Sequence, residues 1–366
     1  MAAGNTPITA DYLAPPQITV AAGYRARVIV PPGTFYDPLF PIAGLGDEIW
    51  LNDDGGEDDE GGGGIYSNAA DGKVSPLVPV GKIPPPTGID RAPTSFAPYA
   101  GQIFALAQPK KGWPGATLNH IILRLDPKTW EPVRFAELPA AGTSNEFPAS
   151  GTGNRGGVAG AGVDMMFGPD GTAFAGRLFA VTLLNGGIYE VTPDGAARPF
   201  VIMDTARPRQ PVCLAFAKIA GEDRMIVSTA NGNFSPRRQV PGFATITQIK
   251  PDGTVLPEFI AEGLFSPSGL AYAPAGFGPF AGDLFVADLQ GVIQIPSPRD
   301  QATPRKGKIF RIDRAGQAHP FAEGFATPMG LRFIGTRMIV CDINGDYIGG
   351  GIDAPDGFVT EITASQ

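Results

Sequence analysis

Four oxygen-bearing side chains recur at one kind of place in this sequence: Asp53, Asn231, Asp288 and Asp342 each close a short apolar run. Asp and Asn oxygens are hard ligands of flexible geometry, the donor set that Ca²⁺ or another divalent cation takes. Glu146 lies within a polar stretch from Thr143 to Arg155 and Asp164 starts the apolar run after it, and two carboxylates buried to different depths can divide the roles of general base and general acid. Other chemistry is thinly provided for. There are two histidines, His120 and His319, both read as outer positions, which disfavours a Ser–His–Asp arrangement or a His-ligated zinc or haem. The glycine tract 61–64 has no Lys-Ser/Thr behind it and is no nucleotide site. Asp at the end of a strand also caps turns, by accepting backbone N–H groups.

What must position these groups is a repeated unit. Phe174-Ala-Gly-Arg-Leu-Phe-Ala-Val181, Phe280-Ala-Gly-Asp-Leu-Phe-Val-Ala287 and Tyr99-Ala-Gly-Gln-Ile-Phe-Ala-Leu106 are variants of one phrase. Each is followed by a second apolar strand such as Lys308-Ile-Phe-Arg-Ile312, and then by a Gly or Pro turn. Apolar runs of four to eight residues punctuated by 50 Gly and 38 Pro indicate short strands and tight turns. Copies tens of residues apart make this a repeat architecture.

Six units can be counted, each an inner strand A followed by B, C and D. Inner strands open at Pro86-Thr-Gly, Gly162-Val-Asp, Pro211-Val-Cys, Pro267-Ser-Gly and Pro328-Met-Gly, and the first unit is the least regular. The sixth unit stops after its C strand, and Gly23 to Val30 near the amino terminus has the character of the missing D strand. A terminal strand that completes the last sheet removes an open edge and clamps a ring. The fold expected is all-β: a six-bladed β-propeller over residues 1–366 as a single domain, with 1–17 an extended arm.

In that order the B–C and D–A connections share one face. The B–C connections are long and mutually unlike, and binding sites concentrate in such loops. The first carries an acidic run from Asp53 to Glu60, while later ones bring Lys110, Lys111, Arg237, Arg238, Arg299, Arg305 and Lys306. The site is therefore expected at the loop-face mouth of the central channel, with Asp90, Gln108, Asn185 and Ser268 as further polar residues near it.

The pattern resembles the six-bladed propellers of the NHL-repeat, gluconolactonase and strictosidine-synthase-like group, through Pro267-Ser-Gly-Leu, Gly282-Asp-Leu-Phe-Val-Ala-Asp288 and Lys308-Ile-Phe-Arg-Ile-Asp313. The likeness runs from about Phe40 onward and specifies the blade rather than the chemistry. It implies a hydrolase acting on a small lactone or ester with a divalent cation. The family's Asn before the Gly of an inner strand is replaced here by Thr87, Val212, Ser268 and Met329, so no ligand is carried over. Quinoprotein sugar dehydrogenases resemble this fold too, but use a His base, and His is scarce here.

The leading expectation is hydrolytic ring opening of a small polar or cyclic molecule, with Ca²⁺ polarising the carbonyl. A non-catalytic ligand- or protein-binding propeller and a metal-independent lyase or isomerase are the alternatives. With 28 Lys+Arg against 36 Asp+Glu, and a formal net charge of -8, nucleic acid is not an expected partner. No apolar run reaches membrane-spanning length. Periplasmic or secreted placement would follow if a signal peptide had been removed. Cys213 and Cys341 both lie in apolar strands and read as buried thiols.

Overall fold

The computed structural model describes residues 14–55, 63–107, 120–138, 162–182, 187–203, 209–231, 244–258, 260–289, 307–343 and 355–365, with the backbone alone at 209–210 and 230–231. All or most of each B–C connection lies outside these residues, as do the D–A connections 139–161 and 204–208.

Six antiparallel sheets are present, and their strand order is that of a propeller. Their inner strands are Pro38–Ala43, Pro86–Arg91, Gly162–Phe167, Arg209–Ile219, Pro267–Tyr272 and Pro328–Ile334. Each inner strand packs against the next, and the sixth packs against the first, so the ring is closed. Blades 3 and 6 consequently stand opposite each other across the channel.

Closure uses the amino-terminal strand as expected. Tyr24–Phe35 pairs with Gly357–Ala364 as the outer strand of blade 6, from Tyr24 opposite Ala364 to Phe35 opposite Gly357. A second device was not anticipated. Thr19–Val20 adds a fifth strand to the outer edge of blade 5, opposite Glu323 and Ala322. The chain therefore staples blade 5 to blade 6 before it enters the ring, covering part of an edge that would otherwise be open.

The repeated phrase is explained by packing. Its aromatic, its polar fourth residue and a side chain on strand C meet at the rim of a blade. Arg124 lies over the Tyr99 ring and donates to Gln102. Arg177 lies near Phe174 and pairs with Glu190 at 2.9 Å. Arg311 lies over Phe280, 4.2 Å from the ring centroid, and pairs with Asp283 at 3.1 Å. The cation moves between strands, but the cross-strand pair beneath an aromatic is kept. The second phenylalanine of the phrase (Phe104, Phe179, Phe285) is fully buried between blades.

The Pro-x-Gly opening of the inner strands also has a steric cause. A Cβ at Gly330 would lie 1.6 Å from the Leu39 carbonyl oxygen of blade 1, and one at Gly269 would lie 2.6 Å from the Leu331 nitrogen of blade 6. In blades 2, 5 and 6 the third residue of the inner strand comes this close to the neighbouring inner strand, and at those places glycine admits the approach.

Candidate functional site

Polar side chains tie the inner strands to one another round the channel. Asn52 donates to the Pro86 carbonyl, joining blades 1 and 2. Asp90 accepts the Phe167 N–H of blade 3 at 2.8 Å, and Asp164 accepts the Leu214 N–H of blade 4 at 2.9 Å. Ser228 donates to the Ser268 carbonyl, and Ser268 to the Pro328 carbonyl. Groups that would be costly to bury unpaired here align the blades.

One member reaches across the ring. Arg332 of blade 6 places Nη2 2.6 Å from Asp164 Oδ1 on the opposite blade 3, its guanidinium 4.8 Å from the Phe40 ring centroid. The ion pair is almost closed to solvent, with Asp164 wholly buried and the Arg332 side chain 12% exposed. Burial works against the charge of Arg332, but the Asp164 carboxylate beside it raises its pKa.

Asp90 lies within the field of the same pair. Burial raises its carboxyl to about 6, although the Phe167 and Arg91 N–H groups and the Arg332 charge pull it down. The residue is half-buried, though its carboxyl is largely desolvated. Cys213 is buried with its pKa raised well above the ordinary value, which makes it a packed thiol rather than a nucleophile. The described chemistry of the channel is thus a fixed cation, a carboxylate that anchors it, and a second carboxyl able to exchange a proton near neutral pH.

The residues singled out from the sequence fall into three groups. Asp164 is at the heart of this cluster. Asp53, Asp288 and Asp342 are buried, and their carboxylates accept N–H groups from the D–A turn that opens their own blade. Asp53 takes those of Tyr36 and Asp37, together with Gly55, Asp288 those of Phe265 and Ser266, and Asp342 those of Ala326 and Thr327. The Asn231 backbone ends the B strand of blade 4, its side chain lying outside the described residues, as do Glu146, Gln108, Asn185 and the charged B–C loops. Among the described residues no three Cys, His, Asp or Glu side chains converge to hold a metal ion. The described carboxylates are turn locks on separate blades and do not make a cation cage. His120 stands just before the C strand of blade 2 and is buried, with its pKa lowered to about 4 by desolvation.

Arg332 is not among the residues singled out from the sequence. Its signal is positional: the fifth place of the inner strand holds Ile42, Met166, Ala215 and Ala271 in four blades, but Asp90 and Arg332 in the other two.

No family model matches the chain, and no curated protein matches it. Solved structures share its fold. A PQQ-bound aldose sugar dehydrogenase from Streptomyces coelicolor is 18% identical, over 94% of this chain and 99% of that one, with a TM-score of 0.59. A gluconolactonase from Xanthomonas campestris is 13% identical over 96% and 95%, with a TM-score of 0.57. A Bacteroides thetaiotaomicron protein of unknown function is 10% identical over 95% and 76%, with a TM-score of 0.56. At these identities the likeness establishes the six-bladed propeller, a fold that this chain has in common with a lactonase and a sugar dehydrogenase.

Proposed function

We propose that this propeller is an enzyme that opens a small lactone or ester by water in its central channel, towards the end where the A–B turns lie rather than at the loop-face mouth. The observation that supports this reading is the Arg332 guanidinium held across the channel by Asp164, with Asp90, raised to about 6, in its field. Asp90 takes a proton from water as the oxygen attacks the acyl carbon. Arg332 offsets the charge that grows on the carbonyl oxygen. The acyl C–O bond then breaks, and the Asp90 proton passes to the departing alkoxide, leaving a hydroxy acid or an acid and an alcohol. A positioned general base contributes roughly 10²–10⁴ in rate. Loss of one oxyanion-stabilising group costs roughly 10²–10³. The gluconolactonase neighbour lends the reaction class as an analogy of fold.

The test is proton release from a panel of sugar lactones and aryl esters, followed by pH-stat with the wild-type protein, Asp90→Asn and Arg332→Met. The expected result is turnover that rises through a pKa near 6 and falls at least about 100-fold in either variant while the circular dichroism stays native. Full activity in Asp90→Asn overturns the mechanism. Saturable binding without turnover assigns the channel to a non-catalytic binding propeller. Activity lost in EDTA and restored by Ca²⁺ would move the chemistry to a cation held in the loops, as the sequence suggested for Asp53, Asn231, Asp288 and Asp342.

A further inference from the structure

The cation that crosses the channel rests on a ring. Phe40 of blade 1 is fully buried, and the Arg332 guanidinium of blade 6 lies 4.8 Å from its centroid. The hydrogen-bond partners of that guanidinium among the described residues are Asp164 Oδ1 at 2.6 Å and the carbonyl of its neighbour Leu331 at 3.3 Å. Both bonds are made by terminal nitrogens, and a long side chain held only at its tip can still swing. An aromatic face beneath the guanidinium removes that freedom and attracts the charge. The ring is fixed in its turn. The Phe40 N–H donates to Asn52 Oδ1 at 3.0 Å, and Asn52 donates to the Pro86 carbonyl at the head of the strand that carries Asp90. On the other side Gly330 is so close that a Cβ there would lie 3.2 Å from Phe40 Cα, which brings the strand of Arg332 alongside. At the third place of the inner strand, where Phe40 stands, the other blades have Gly88, Asp164, Cys213, Gly269 and Gly330, so the ring is particular to blade 1.

We infer that Phe40 is a positioning residue of the channel: its face holds the Arg332 guanidinium in the place from which the cation pairs with Asp164 and acts on Asp90. Its effect on turnover rests on the hydrolysis proposed above, whereas its effect on Asp90 does not. The charges round Asp90 fix the sign of that second effect. Arg332 draws the carboxyl down and the Asp164 carboxylate pushes it up, beside the Phe167 and Arg91 N–H groups that also lower it. The Arg91 guanidinium is kept elsewhere, over Trp50 and against the Ala43 carbonyl. Cys213 stands in the field of the ion pair as a neutral thiol. A guanidinium that leaves Phe40 therefore withdraws a lowering charge and uncovers a raising one, so Asp90 must titrate higher. A leucine in place of Phe40 fills much of the same space but offers no π face.

The test is the titration of Asp90 in the ligand-free, full-length protein, read from the NMR signal of its isotope-labelled carboxyl and assigned by the loss of that signal in Asp90→Asn. The wild type is compared with Phe40→Leu and with a protein carrying ring-trifluorinated phenylalanine in place of Phe40, which keeps the shape and removes the negative face. The Asp90 midpoint should rise by about one pH unit in Phe40→Leu and by a smaller step in the fluorinated protein, with native circular dichroism in both. Lactone turnover, where the wild type shows it, should fall about tenfold in kcat at little change in KM, because the growing charge is met only in the transition state. If Phe40→Leu does not fold, the fluorinated protein carries the comparison. A midpoint that stays at the wild-type value in the folded variants overturns the inference, whatever happens to Tm, and leaves the hydrolase reading standing where turnover is unchanged. A raised midpoint in a protein that hydrolyses none of the lactones or esters bears out the role of Phe40 and overturns only the hydrolysis.

Discussion

Replacing Asp90 with Asn should change how stability depends on pH, by an amount that the structure sets. In the folded chain burial lifts this carboxyl from 3.8 to about 6. The native state therefore holds the proton more tightly than the unfolded chain does, and between these values it carries more protons. Stability from this group is complete below pH 3.8 and is lost as pH rises through about 6. Each pKa unit corresponds to about 1.36 kcal/mol, so some two units bound the loss at about 3 kcal/mol, less what solvent in the channel screens. Asn does not titrate. It also turns an amide toward one of the two N–H groups that Asp90 accepts, from Phe167 and Arg91, which costs about 1–3 kcal/mol at every pH. The absolute stability of the variant is thus no test, and the pH trend is. Urea melts of both proteins at pH 4, 5, 6 and 7 should show Asp90→Asn gaining on the wild type by up to about 3 kcal/mol from the lowest to the highest pH. A difference that stays flat, or that shrinks with rising pH, would refute the placement of Asp90 in a desolvated site.

Four further outcomes follow from other contacts of the ring. Arg332→Met should destabilise the fold by about 3–5 kcal/mol, because it strands a fully buried carboxylate. Arg332→Met with Asp164→Asn should cost clearly less than the two single changes summed, and additivity in denaturant melts would show that the pair is not coupled. His120 has the opposite linkage to Asp90. Its folded pKa of about 4 lies below the ordinary 6.5, so its contribution is present above 6.5 and lost as pH falls toward 4. His120→Gln should remove a loss of up to about 3 kcal/mol over that window in urea melts, and an unchanged acid limb would count against burial of the ring. Gly330→Ala should cost several kcal/mol or open the ring, since its new methyl would overlap the Leu39 carbonyl. A variant with wild-type Tm would show that blades 6 and 1 are not so close.

How much of this was legible in the sequence depended on whether the repeat carried it. The blade count, the inner strands and the closing strand from Tyr24 are written in period and punctuation, because every blade meets the same packing problem. The pairs Gln102–Arg124, Arg177–Glu190 and Asp283–Arg311 show how tolerant that solution is: polarity reverses while the place in the blade stays. The Thr19–Val20 strand was not legible, since two residues on one outer edge leave no period to detect. Asp53, Asp288 and Asp342 were read as candidate ligands because turn locks and ligands have the same residue type at the same place. Only the partners of the oxygens tell them apart, and those partners are backbone N–H groups supplied by another part of the blade.

The channel cluster teaches a converse lesson. A repeat fold places every copy of a position at the same height round one axis, so side chains at that position can meet although they are remote in sequence. Asp164 and Arg332 are 168 residues apart and belong to opposite blades, yet their terminal atoms touch. In such a fold the residue to look for is the one that breaks the column: a charge at a place where the other units keep Ile, Met or Ala. Asp90 and Arg332 break the fifth column, and Asp164 takes the third place that is glycine in blades 2, 5 and 6. A buried charge lowers stability unless another charge answers it. Two exceptions in one column, with a third at the next height to anchor them, are the ground of the proposed chemistry, beside the part that Asp90 and Asp164 take in aligning the blades. The pH trend of Asp90→Asn is where that ground meets measurement.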